Sequence, residues 1–147
     1  MIKKDSSKVT GSVNVVVRGE DGTVKQEFTV PNLVVDSGLD FIASRMKDAT
    51  ATAMSHMAVG TNNTAADAAN TALGTEIARV AMATPTVTDN AIAYVASYPA
   101  GTGTGALTEA AILNASSGGS MLCRTVFAVI NKGAADSMTV TWTVTIS

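Results

Sequence analysis

Alternation with a period of two runs through most of this chain, and it is cleanest at the end. Met138, Val140, Trp142, Val144 and Ile146 alternate with Thr139, Thr141, Thr143 and Thr145. One face is apolar and the other is all threonine, which predicts an antiparallel strand over Ser137 to Ile146 with one side on a core. A second clear pattern opens the chain. Lys8 to Arg18 places Val13, Val15 and Val17 on one face, and Thr23 to Val30 places Val24, Phe28 and Val30 on one face against Lys25, Glu27 and Thr29. Glu20-Asp21-Gly22 between them supplies the positive φ of a tight turn, so the two runs predict an N-terminal β-hairpin ended by Pro31-Asn32.

The period then changes. Leu39, Ile42, Ala43 and Met46 recur at spacings of three and four after Asp36 or Ser37, either of which can cap a helix. That spacing predicts one short helix, about residues 37–46, with those four side chains as its packed face. After a loop over Lys47 to Ala53, short apolar runs return. They are Met54 to Val59 closed by Gly60, Glu76 to Ala83, Ala91 to Tyr98, Thr108 to Asn114 and Met121 to Ile130. Turn-rich stretches separate most of them: Pro85 to Asn90, Pro99 to Gly105, Ala115 to Gly119 and Asn131 to Asp136. Thr61 to Asn70 predicts an extended surface loop. Many short strands with one helix indicate an all-β antiparallel β-sandwich or jelly roll. No repeat or linker divides residues 1–147, so a single sandwich domain is expected, with 1–30 as arm and hairpin and 31–147 as the main sandwich.

Composition sharpens this picture in two respects. The chain has 147 residues, 46 % hydrophobic but only 4 % aromatic, which suits closely packed sheets of small and β-branched side chains. A net charge of −2 gives no basic surface for phosphates, so direct nucleic-acid binding is not expected. Lys3, Lys4 and Lys8 form the one basic cluster and read as a solvated arm. No apolar run of about 18 residues predicts a membrane helix. The polar start Met1-Ile2-Lys3-Lys4-Asp5 lacks the apolar run of a signal peptide. Synthesis in a cytosol-like compartment is the expectation, with assembly into a particle as the way out.

Candidate chemistry is sparse. His56 is the single histidine and sits among Met54, Ser55 and Met57, where packing is the expected role and no second histidine offers metal-ligand spacing. Gly101-Thr102-Gly103-Thr104-Gly105 resembles a phosphate loop only superficially, because no helix and no Lys-Ser/Thr ending follow it; it reads as a flexible inter-strand loop. Ser116 to Ser120 reads as a hairpin connection. Asp67, Glu76, Asp89, Glu109 and Asp136 stand singly and do not form a calcium loop. Cys123, the only cysteine, lies inside a strand and is expected to pack as a small apolar side chain. No catalytic, metal or cofactor-binding residue is assigned, and an enzyme is not expected.

A resemblance adds a functional expectation. The series Asn32-Leu33-Val34-Val35-Asp36-Ser37-Gly38-Leu39 and Ile42-Ala43-Ser44-Arg45-Met46 resembles a segment of small tailed-bacteriophage virion proteins. It continues through Met57-Ala58-Val59-Gly60-Thr61, Asn70 to Glu76, Arg79, Glu109-Ala110-Ala111-Ile112, and Gly119 to Phe127. The similarity runs from about Asn32 to Ser147 and is closest to capsid decoration or cementing proteins of jelly-roll type. It implies a structural protein on the capsid exterior, bound to the major capsid protein of an HK97-type shell and assembled as a dimer or trimer. A tail or tail-fibre-associated module is the alternative. Loops Thr61 to Asn70 and Pro99 to Gly105 and the N-terminal arm are the expected contact elements, being long enough to reach a partner.

Overall fold

The computed structural model describes residues 7–147. Two five-stranded antiparallel sheets pack face to face. One contains β1 (Val9–Arg18), β2 (Val24–Pro31), β6 (Thr86–Thr88), β7 (Ala91–Tyr98) and β10 (Ser137–Ile146), in the order β2-β1-β10-β7-β6. The other contains β3 (Leu33–Val34), β4 (His56–Gly60), β5 (Glu76–Ala81), β8 (Gly105–Leu113) and β9 (Met121–Lys132), in the order β3-β9-β8-β4-β5. The helix α1 (Asp36–Lys47) follows β3. Consecutive pairs β1-β2, β4-β5, β6-β7 and β8-β9 are neighbours in their sheets. Of the two forms expected, sandwich and jelly roll, this connectivity is a sandwich of hairpins that alternate between sheets.

The threonine strand behaves as its pattern demands. Met138, Val140, Trp142 and Val144 are buried, while Ile146 at the strand end is half exposed. β10 lies in the middle of its sheet between β1 and β7, with Trp142 opposite Val13 on one side and Tyr94 on the other. In the opening hairpin Val13, Val15 and Val17 are buried and Gly22 takes φ 84°. Val24 leaves the expected face. A bulge places Val17 opposite Gln26 but Arg18 opposite Val24, which turns Val24 outward with Arg18.

At Asn32 the chain crosses from one sheet to the other. Trp142 Nε1 donates to Asn32 Oδ1 (3.0 Å), and the Asn32 side chain fills the space a Cβ at Gly11 would occupy. Tyr98 Oη ties the sheets again by donating to the Met57 carbonyl (2.7 Å). The inter-sheet core is one cluster that includes Val13, Met57, Tyr98, Ile112, Cys123 and Trp142. A second, smaller cluster (Val35, Ala58, Leu73, Ala111, Leu113, Met121) lies on the opposite face of the β8-β9 sheet, because successive residues of a strand point to opposite sides. β8 is therefore buried continuously from Leu107 to Leu113 instead of alternating.

The helix spans Asp36–Lys47, close to the expected 37–46, but its packed face differs. Val35 occupies the N-cap position without a side-chain cap, so neither Asp36 nor Ser37 serves there. Ser37 Oγ instead donates to the Met121 carbonyl (2.8 Å). Gly38 is buried, and a Cβ there would overlap the Leu122 backbone. Phe41 and Ile42 reach the inter-sheet core, whereas Leu39, Ala43 and Met46 stay exposed. The absence of a side chain at Gly38 decides this rotation, since it lets the helix backbone lie directly on β9.

Candidate functional site

The strongest electrostatic feature pairs two residues that look unremarkable in sequence. Glu109 on β8 and Arg124 on β9 project from the face of their sheet that bears Ala58 and Ala111, since Glu109 opposes Gly60 and Arg124 opposes Ala111. Arg124 Nε and Nη2 both donate to Glu109 Oε2 (3.2 and 2.9 Å). Glu109 is 0 % exposed and Arg124 2 %.

Each partner also holds the segment from Thr61 to Thr75. Glu109 Oε1 accepts from the Asn62 and Thr75 backbone N–H groups (3.2 and 2.8 Å), and Oε2 accepts from Gly74 N–H (3.0 Å). Arg124 Nη1 donates to Asn70 Oδ1 (3.1 Å) and Nη2 to the Thr64 carbonyl (3.0 Å). Gly60 is required beneath this network, because a Cβ there would overlap the Thr75 carbonyl and Glu109 Oε1. Burial by itself raises the Glu109 carboxyl. The N–H groups of Thr75 and Gly74, the Arg124 guanidinium and Asn62 N–H more than offset it, so its pKa falls below the ordinary value.

The loop Thr61 to Asn70 is consequently a fastened cover. Thr64 N–H donates to Asn62 Oδ1 (2.8 Å), Asp67 N–H to Asn70 Oδ1 (2.8 Å) and Ala69 N–H to Asp67 Oδ1 (2.8 Å). Asp36 N–H donates to the Ala68 carbonyl (2.8 Å), which joins the loop to the start of α1. Arg79 provides a similar fastening one strand away. It pairs with Glu76 through two bonds (2.9 and 2.7 Å) and donates to the carbonyls of Ala115 and Gly118 (both 2.9 Å), holding the β8-β9 turn.

A third charged group stands at the other end of the sandwich. Lys132, also buried, donates from Nζ to the carbonyls of Pro99 and Asp136 (3.1 and 2.7 Å). Burial lowers its pKa, and Asp136 opposes that shift. The Asp136 carboxylate accepts from Lys25 Nζ (2.8 Å) and Gly133 N–H (2.8 Å), and these bonds, Lys25 first, hold its pKa down. The glycine loop Gly101 to Gly105 is not the free loop its composition suggests. Gly101, Gly103 and Gly105 adopt positive φ, Gly103 is buried beside Tyr98 and Val59, and Lys132 fastens Pro99 at its start.

The remaining candidates stay apart. His56 is half-buried and its Nδ1 lies 2.8 Å from Ser55 Oγ. Cys123 is fully buried in the inter-sheet core, and burial pushes its thiol pKa well up. Lys8 is joined through its backbone to Ser147, while Lys3 and Lys4 lie outside the described residues. Among the described residues no group of three or more His, Cys, Asp or Glu side chains is placed to hold a metal ion. Among the same residues, no helix is long and apolar enough to cross a membrane. The sequence signal that could have revealed the buried pair was an ionisable residue beside an apolar run, Glu109 just before Ala110-Ala111-Ile112-Leu113 and Arg124 just after Met121-Leu122-Cys123. No family model, curated protein or solved structure matches the chain.

Proposed function

We propose that the chain is a structural, non-enzymatic virion protein of a tailed phage, a decoration or cementing protein bound to the outside of the major capsid protein shell. The carrying observation is where the residues of the phage-like series come together. Gly60, Asn70, Gly74, Thr75, Glu109 and Arg124 meet in one network around the buried Glu109–Arg124 pair, and Gly38 rests on Leu122. Their charges and their lack of side chains go into fastening a loop and a helix onto one sheet. That is the chemistry of a stiff body. A protein that strengthens a shell by many copies, each burying modest area, works through shape and summed contacts and gains from such stiffness.

Quantitative mass spectrometry of purified virions tests the reading, with the major capsid protein as internal reference. Hundreds of copies in a simple ratio to capsid subunits support decoration, and deletion of the gene should then lower particle stability. A dozen copies or fewer move the protein to the tail and overturn the decoration reading. Absence from the particle overturns the virion reading altogether.

A further inference from the structure

Two tyrosines, Tyr94 and Tyr98, stand on the inner face of β7, and only one has a partner for its hydroxyl. Tyr98 Oη donates to the Met57 carbonyl and ties the sheets together. Tyr94 is 6 % exposed, yet its hydroxyl makes no hydrogen bond among the described residues. Nor is that hydroxyl sealed in the core, as the Thr108 hydroxyl is. Tyr94 lines a cleft of about 340 Å³ between α1 and β7, whose apolar walls include Phe41, Ile42, Met54, Pro85 and Ile92. Burial pushes the Tyr94 pKa up to about 12, with Cys123 adding to the shift, so the group stays a neutral hydroxyl. Arg45 is exposed at the mouth and is the one charged side chain lining the cleft. Its Nη1 donates to the carbonyls of Ala49 and Ala51 (3.4 and 2.7 Å). Among the described residues no carboxylate forms an ion pair with Arg45; Asp48 feels its charge but pairs with Lys47 (3.4 Å).

We propose that this cleft binds a small aromatic acid, with its ring between the apolar walls, a polar substituent on the Tyr94 hydroxyl and its carboxylate on Arg45. Each part of the ligand answers a feature of the cleft. Mostly apolar walls with a few polar groups are the usual make-up of a small-molecule site, and they exclude a sugar or a nucleotide. Phe41 and the sulfurs of Met46 and Met54 are favourable neighbours for a ring. A hydroxyl held among apolar side chains without a partner is unfavourable, and only what enters the cleft can satisfy it. With Nη1 engaged by two carbonyls, Nε and Nη2 of Arg45 form the fork that a carboxylate takes through two parallel bonds. The bound acid would bridge α1 and the sheet that carries β7. Binding requires no virion, so its failure and the failure of the decoration reading are separate results.

An NMR titration of the full chain, labelled at its methyl groups, with para-hydroxybenzoate tests this. Saturable shifts should appear at Met54, Ile42 and Ile92, with a Kd of about 1 mM or tighter, as suits a ligand of about ten non-hydrogen atoms. Benzoate, which lacks the hydroxyl, should bind roughly 3- to 10-fold more weakly, and that difference should vanish in Tyr94→Phe. Arg45→Gln should weaken both acids and leave the uncharged para-cresol unaffected. The Tyr94 hydroxyl holds nothing in the protein, so Tyr94→Phe should keep the native circular dichroism and Tm, and the comparison of ligands on the unaltered chain needs no variant at all. Absence of saturable shifts below about 5 mM overturns the proposal. So do shifts centred away from the cleft, or benzoate and para-hydroxybenzoate binding equally to the unaltered protein.

Discussion

Replacing Glu109 by Gln keeps the shape of the side chain and removes its charge, which isolates what the carboxylate does under the loop. Oε1 accepts two backbone N–H groups and Oε2 accepts one more together with two bonds from Arg124. An amide nitrogen at either position would face donors with a donor, and the Arg124 guanidinium would stay buried without its counter-charge. Removing one member of a buried ion pair costs about 3–5 kcal/mol. Against a total stability of roughly 5–15 kcal/mol for a typical domain this is a large fraction. A fall in Tm on the order of 10 °C is expected at this chain length. Arg124→Met should cost less, about 2–3 kcal/mol, because three backbone N–H groups still solvate the carboxylate. Urea denaturation gives the free energies, and amide hydrogen exchange at Asn62, Gly74 and Thr75 reports the loop directly.

The pH dependence supplies a sign. The folded carboxyl titrates below its ordinary value, so its stabilisation is complete above about pH 4.3 and disappears as pH falls through the lowered folded value. The stability gap between the native protein and the Gln variant should therefore narrow in acid. A Glu109→Gln variant within about 1 kcal/mol of the native protein, with unchanged exchange at those three amides, would refute the fastening role.

Three further outcomes follow from packing. Gly38→Ala gains about 1 kcal/mol of helix propensity, yet its Cβ overlaps the Leu122 backbone, so net destabilisation in urea is expected; a more stable variant would contradict the close approach. Thr108 is buried and its hydroxyl has no partner among the described residues, so Thr108→Val should be neutral or stabilising by up to about 1 kcal/mol, and a loss above that in thermal melts would show a missed bond. Cys123 should react with a thiol reagent only on denaturation, since it is fully buried and its pKa is raised; rapid labelling of the native protein would contradict its place in the core.

Strand identity was legible wherever one face of a strand meets water. The Ser137 to Ile146 run matches β10 residue for residue because period-two alternation records a single buried face, and Ala91 to Tyr98 matches β7 because turn-rich stretches bound a short apolar run. The N-terminal hairpin was equally plain, apart from Val24. A bulge leaves no mark in hydropathy while reversing the faces beyond it. β6 and β3 escaped notice because Thr86–Thr88 and Leu33–Val34 are too short to show a period.

Sequence by itself thus determined the fold class and the existence of the helix, since both follow from local periodicity and turn chemistry. Only the tertiary structure decided which helix face is buried, because that rests on Gly38 meeting the distant Leu122 backbone. It also turned two loops that read as free into fastened ones. Glu109 and Arg124 stand 15 residues apart in sequence, and the loop they hold lies outside both strands. Their attraction exists only once β4, β8 and β9 stand side by side and exclude water. A charge beside an apolar run signals that a partner is needed; the chain's path through space supplies it.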